Sequence, residues 1–102
     1  MWFKALKGPL KLNAMTEVSI EGKSLVLTSC GGVVRCFDNR CPHEDFQLSL
    51  GCIQQGRVKC SLHGFSFDLS TGESSEKDID SLRLYPVKIE NNTIFVEINL
   101  DQ

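Results

Sequence analysis

An all-β fold, with a small sandwich or barrel-like base carrying a loop-built subdomain, is predicted by three features of this 102-residue sequence. Short runs rich in β-branched and aromatic residues alternate with two-residue turn signals. No segment sustains a helical period. The middle of the chain, Cys41 to Gly72, departs from the strand pattern and is punctuated by Gly51, Gly56, Gly64 and Gly72.

Taken in order, Trp2 to Leu6 reads as a first strand ended by Gly8-Pro9, with Trp2 as one of its core residues. Met15 to Ile20 has room for one helical turn at most, and Glu17 to Ile20 alternates polar and apolar residues as a strand does. A turn at Glu21-Gly22 or Gly22-Lys23 leads into Ser24 to Ser29 (SLVLTS). Gly31-Gly32 turns the chain back into Val33 to Phe37. Near the end, Leu84 to Glu90 and Thr93 to Leu100 form a hairpin around Asn91-Asn92, because asparagine tolerates the positive φ of such a turn. Ser70 to Ser81 (STGESSEKDIDS) is polar and mostly acidic, and is expected to be an exposed connection. The chain shows no repeat or low-complexity tract and is read as one domain, 1–102, with the subdomain at about 40–73.

The length suits one core, and a domain this small buries only about two-thirds of its unfolded surface, so a bound metal centre would help it. With 41% hydrophobic and 24% charged residues the composition is that of a folded chain. A net charge of −2, from 11 basic and 13 acidic residues, argues against nucleic acid or an anionic membrane as partner. No apolar run approaches the roughly 18 residues of a membrane span, and no basic start precedes a long apolar stretch. A cytoplasmic, reducing location and a monomeric state are expected.

Five cysteines, an odd number, weaken any disulfide framework. If Gly31-Gly32 is a two-residue turn, Cys30 lies opposite Val33 and Cys36 opposite Leu27, so the two thiols do not face each other. Cys30, Cys36 and Cys52 are read as small buried hydrophobes.

The remaining two cysteines stand beside the only two histidines of the chain. Cys41-Pro42-His43 gives C-x-H and Cys60-Ser61-Leu62-His63 gives C-x-x-H, with residues 44–59 between them. Thiolate with imidazole is metal chemistry. In an extended segment residues i and i+2 point the same way, so Cys41 and His43 can reach one centre, with Pro42 stiffening the link. Residues i and i+3 converge at a turn, and Gly64 lets the backbone come close after His63. A turn at Gln54 to Gly56 would bring the second segment back beside the first.

C-x-H, a gap of this length and C-x-x-H resemble the Rieske family. The likeness extends to Leu48, Gly51, Gly56, Val58, His63-Gly64, Phe67-Asp68, Thr71-Gly72-Glu73 and the return strand Ser81 to Val87 (SLRLYPV), so it covers nearly the whole chain. The resemblance implies a Rieske-type fold and one [2Fe–2S] cluster, with Cys41 and Cys60 on the inner iron and His43 and His63 on the outer iron. Two ferric ions and two sulfides sum to two positive charges, which two thiolates cancel. Adding an electron to that neutral site costs less than adding one to an all-thiolate site, so the potential rises to between about −150 and +300 mV.

Within that window the resemblance points low. High-potential members carry a disulfide between the loops, a serine and a tyrosine near the cluster. The matching positions here are Phe46 and Leu62, Phe65, and Phe67, and none can supply such a bond or a hydroxyl hydrogen bond to sulfur. Glu44 and Asp45 add negative charge. Phe65 and Phe67 are expected to pack under the cluster.

The function implied is that of a ferredoxin of the ring-hydroxylating dioxygenase type. It would take one electron from a reductase, flavin-dependent by resemblance, and pass it to a terminal oxygenase or similar acceptor, with no catalysis of its own. Two other readings stay open. One is the small subunit of a larger reductase of the nitrite reductase type. The other is a zinc-stabilised interaction module, although zinc sites favour paired like ligands over mixed C-x-H and C-x-x-H.

Overall fold

The computed structural model describes residues 1–42, 47–60 and 65–99. Among these the regular elements are ten strands and one 3₁₀ turn, Leu48–Leu50. The strands are β1 (Trp2–Lys7), β2 (Thr16–Ile20), β3 (Lys23–Cys30), β4 (Val33–Asp38), β5 (Cys52–Gln54), β6 (Arg57–Lys59), β7 (Ser66–Asp68), β8 (Leu84–Tyr85), β9 (Val87–Glu90) and β10 (Thr93–Glu97). No helix among the described residues is long and apolar enough to cross a membrane.

Four tight hairpins organise the chain. Glu21-Gly22, Gly31-Gly32, Gln55-Gly56 and Asn91-Asn92 all hold positive φ at both positions. Such turns match the right-handed twist of the strands they join. The β3–β4 register places Leu27 against Cys36 and Cys30 against Val33, as a two-residue turn at Gly31-Gly32 requires. None of the five cysteines is in a disulfide.

The strands form three antiparallel sheets, ordered β1-β10-β9, β2-β3-β4-β8 and β5-β6-β7. The second is the central layer. Successive side chains of a strand point to opposite faces, and β3 sends them into two different cores. Leu25 and Leu27 pack with Cys36, Tyr85, Ile94, Val96 and Ile98 toward the terminal sheet. Val26 packs with Phe37, Leu48, Ile53, Val58 and Phe67 toward the sheet of β5, β6 and β7. Burial on both faces explains why Leu25 to Thr28 carries no polar alternation, and all four residues are fully buried.

Three expectations need correction. Leu84 to Glu90 is not one strand. Pro86 divides it, because proline has no N–H for a ladder; Leu84–Tyr85 pairs with β4 and Val87–Glu90 with β10. The loop-rich middle of the chain also carries strands that the sequence reading did not place, since β5, β6 and β7 give it a sheet of its own, with only three residues per strand. Trp2 is not a core residue. It is 38% exposed on the outer face of the terminal sheet, with the Lys88 ammonium 4.6 Å from its ring centroid.

Candidate metal centre

Each cysteine of the two C-x-H-type motifs follows a strand into a finger. Cys41 lies three residues beyond the end of β4, and Cys60 directly follows β6. Both side chains are buried, at 1% and 0% exposure, and both belong to the core that holds Val26, Phe37, Leu48, Val58 and Phe67. The fold thus brings the two thiols, 19 positions apart in sequence, into one apolar layer between the central sheet and the sheet of β5, β6 and β7. His43 and His63 lie outside the described residues, as do Glu44, Asp45, Phe46 and Leu62.

The bases of both fingers are closed by hydrogen bonds. The Cys60 N–H donates to the Phe65 carbonyl at 2.8 Å, pinching the second finger at its root. The first finger is closed by Asn39, a side chain buried to 4% exposure. Its Oδ1 accepts from the Ser49 N–H at 2.8 Å, and its Nδ2 donates to Glu17 Oε2 at 2.8 Å and to Ser24 Oγ at 3.1 Å. Gln47, the N-cap of the 3₁₀ turn, makes no side-chain cap bond, so Asn39 supplies that cap from across the finger. Nothing in the sequence marked Asn39, Glu17 or Ser49. An asparagine two residues before a motif cysteine is the only trace, and its partners are set by long-range packing.

A second contact joins the fingers. Gly51 packs its α-carbon against the Lys59 carbonyl, one residue before Cys60, at a distance that leaves no space for a β-carbon. The sequence singled out Gly51 without giving this reason for it.

The other cysteines separate clearly. Cys36 is buried in the opposite core, and burial, followed by the Asp38 carboxylate, pushes its thiol up to about 12. Cys30 is half-buried and Cys52 is exposed, which corrects the expectation of a buried Cys52. Phe67 is fully buried in the core shared with Cys41 and Cys60, and Phe65 is half-buried. The Tyr85 hydroxyl donates to Asp38 Oδ1 at 2.6 Å; burial and that bond raise its pKa.

These features fit an iron–sulfur cluster. Two thiols enter a water-poor layer from separate fingers, each closed at its base by hydrogen bonds. A dry, low-dielectric wall of Phe37, Leu48 and Phe67 is the setting in which cluster charge and hydrogen bonding set the redox potential.

Comparison with known proteins agrees. Residues 2–86 match the Rieske [2Fe-2S] domain family. The ferredoxin component of the naphthalene 1,2-dioxygenase system of Pseudomonas putida is 32% identical over 83 residues, covering 80% of each chain. Human apoptosis-inducing factor 3 is 33% identical over 88 residues, which make up 85% of this chain but 14% of that protein. The ferredoxin of Sphingomonas yanoikuyae B1 superposes with a TM-score of 0.86 at 25% identity, over 95% of this chain and 98% of that one. With that membership the zinc alternative falls away, and the chain is an electron carrier with a [2Fe–2S] cluster, not a catalyst. On its motifs, its three-sheet architecture and these relationships, the chain belongs to the Rieske [2Fe–2S] domain family.

Proposed function

We propose that this chain is the ferredoxin of a multicomponent oxygenase system, holding its cluster through Cys41, His43, Cys60 and His63. The observation that carries this reading is the burial of Cys41 and Cys60 in one apolar core at the roots of two fingers. When bound, the cluster accepts and returns one electron, and two imidazole ligands in place of thiolates raise its potential. The work of the chain is to hold it. Cys41 and Cys60, as thiolate ligands, would each bring a negative charge to offset that of the iron, and Phe37, Leu48 and Phe67 keep water from that side. The two histidines, as ligands, are the exit for the electron. The donor is a reductase, flavin-dependent by the family resemblance, and the acceptor is a terminal oxygenase, in keeping with the dioxygenase system in the name of the naphthalene dioxygenase ferredoxin component. The carrier acts as a cytoplasmic monomer.

The same reading sets the potential in the lower part of the family window. Phe67, at the position of the tyrosine of high-potential members, is fully buried and has no hydroxyl. Phe65 takes the place of the serine. Without those donors the reduced, more negative cluster is less stabilised. Spectroelectrochemical titration of the purified protein should give a midpoint below zero against hydrogen, in the lower part of the window from about −150 to +300 mV. A midpoint well above zero would contradict it. Reduction by a flavin-dependent reductase and reoxidation by a terminal oxygenase, followed at the visible band, test the partners.

A further inference from the structure

We propose that Asn39 is the positioning residue of the first cluster finger, a clasp whose amide holds the two roots of that finger together and so keeps the cluster in place. The proposal rests on the reading that Cys41 is a ligand. Asn39 stands at the exit of β4, two residues before Cys41, and Ser49 lies in the 3₁₀ turn where the finger returns to the core. The bond from Ser49 N to Asn39 Oδ1, 2.8 Å, spans the finger directly. Leu48, next to Ser49, is fully buried in the core with Cys41 and Cys60, so displacing the turn moves a wall of the site.

The amide fits this task because it offers both polarities. The acceptor end faces Ser49 N, and the donor end faces the Glu17 carboxylate and the Ser24 hydroxyl. Ser49 Oγ also reaches Glu17 Oε2, at 3.4 Å. Glu17 lies on β2 and Ser24 on β3, so Asn39 ties the finger to two strands of the central sheet as well as to its own far root. The Asn39 N–H donates to the Ser24 carbonyl at 3.0 Å, which fixes the backbone from which the amide projects. A purely space-filling side chain at this buried position would need none of this polarity.

The test exchanges polarity between partners. Asn39→Asp keeps the shape but removes both donated bonds and sets a carboxylate 2.8 Å from Glu17 Oε2, and the repulsion between the two drives residue 39 out of its seat and away from the Ser49 N–H. In the double variant Asn39→Asp with Glu17→Gln, the new glutamine amide donates to the new carboxylate, and the net charge equals that of the parent protein. Two quantities are read: the rate of iron release to a ferrous chelator from the reduced holoprotein, and hydrogen exchange of the Ser49 amide. Asn39→Asp should speed both by about tenfold, the factor set by one buried polar group losing its partner. The double variant should return both to within about threefold of the parent, the spread expected of an imperfectly matched pair. Cys41→Ser serves as the control and should lose the cluster outright. Unchanged release and exchange in Asn39→Asp, or a double variant no better than the single one, overturns the clasp. A Cys41→Ser protein that keeps its cluster overturns the ligand assignment instead.

Discussion

The α-carbon of Gly51 lies against the carbonyl oxygen of Lys59, and a β-carbon at residue 51 would overlap that oxygen. The obstacle is backbone of a neighbouring strand and cannot swing aside. The contact sets how closely the chain leaving the first finger approaches the chain entering the second. Gly51→Ala must push β5 away from β6. It should cost about 1–3 kcal/mol, the range of small-to-large substitutions in packed sites, and lower iron occupancy. Gly31→Ala is the comparison. Gly31 has open space around it but φ of +58°, so only backbone strain of about 1 kcal/mol is expected, with iron content unchanged. Urea melts and iron counts on both proteins check this.

The cysteines should divide by role. Cys41→Ser and Cys60→Ser should purify without iron or acid-labile sulfide. Cys52→Ser should keep both, because that thiol is exposed on β5. Brief alkylation of the holoprotein at neutral pH should label Cys52 and spare Cys36, since a thiol held near 12 offers almost no thiolate there. A Cys52→Ser protein lacking iron would overturn the ligand assignment.

Alkaline pH should weaken the fold in a definite window. The folded Cys36 thiol ionises near 12, against an ordinary value of 9.0. The folded state therefore binds the proton more tightly, and its contribution is complete below pH 9.0 and is lost as pH rises toward 12. The Tyr85 phenol, raised by burial and by its bond to Asp38, acts in the same direction from its ordinary value of 10.0 upward. Chemical denaturation at pH 8 and above should show stability falling from about pH 9. Cys36→Ala should flatten the first part of that fall and Tyr85→Phe the later part. A curve of unchanged slope in Cys36→Ala would remove the thiol from the account.

Two aromatic truncations should rank in the order of burial. Trp2→Ala removes a ring that is 38% exposed and stacked under Lys88, and should cost about 1 kcal/mol. Phe37→Ala opens the core of the metal centre and should cost about 3–5 kcal/mol. Thermal melts of the two variants decide between this ranking and one in which Trp2 is structural.

The amino-acid sequence by itself determined the strands outside the middle of the chain, apart from the break at Pro86, together with the turns, the pairing of Cys36 with Leu27 and the four metal-ligating candidates. Each of these depends on neighbours a few residues away: alternation within a strand, the positive φ of Gly31-Gly32, the spacing of C-x-H and C-x-x-H. Only the tertiary structure decided that β3 feeds two cores at once, that Pro86 switches the chain between sheets, that Trp2 faces outward and Cys52 stands exposed. It also decided that Asn39, Glu17 and Ser49 meet, and that Gly51 touches Lys59. Those outcomes are set by which distant strand arrives on each face, and packing between sheets leaves no periodic mark on the residues it brings together.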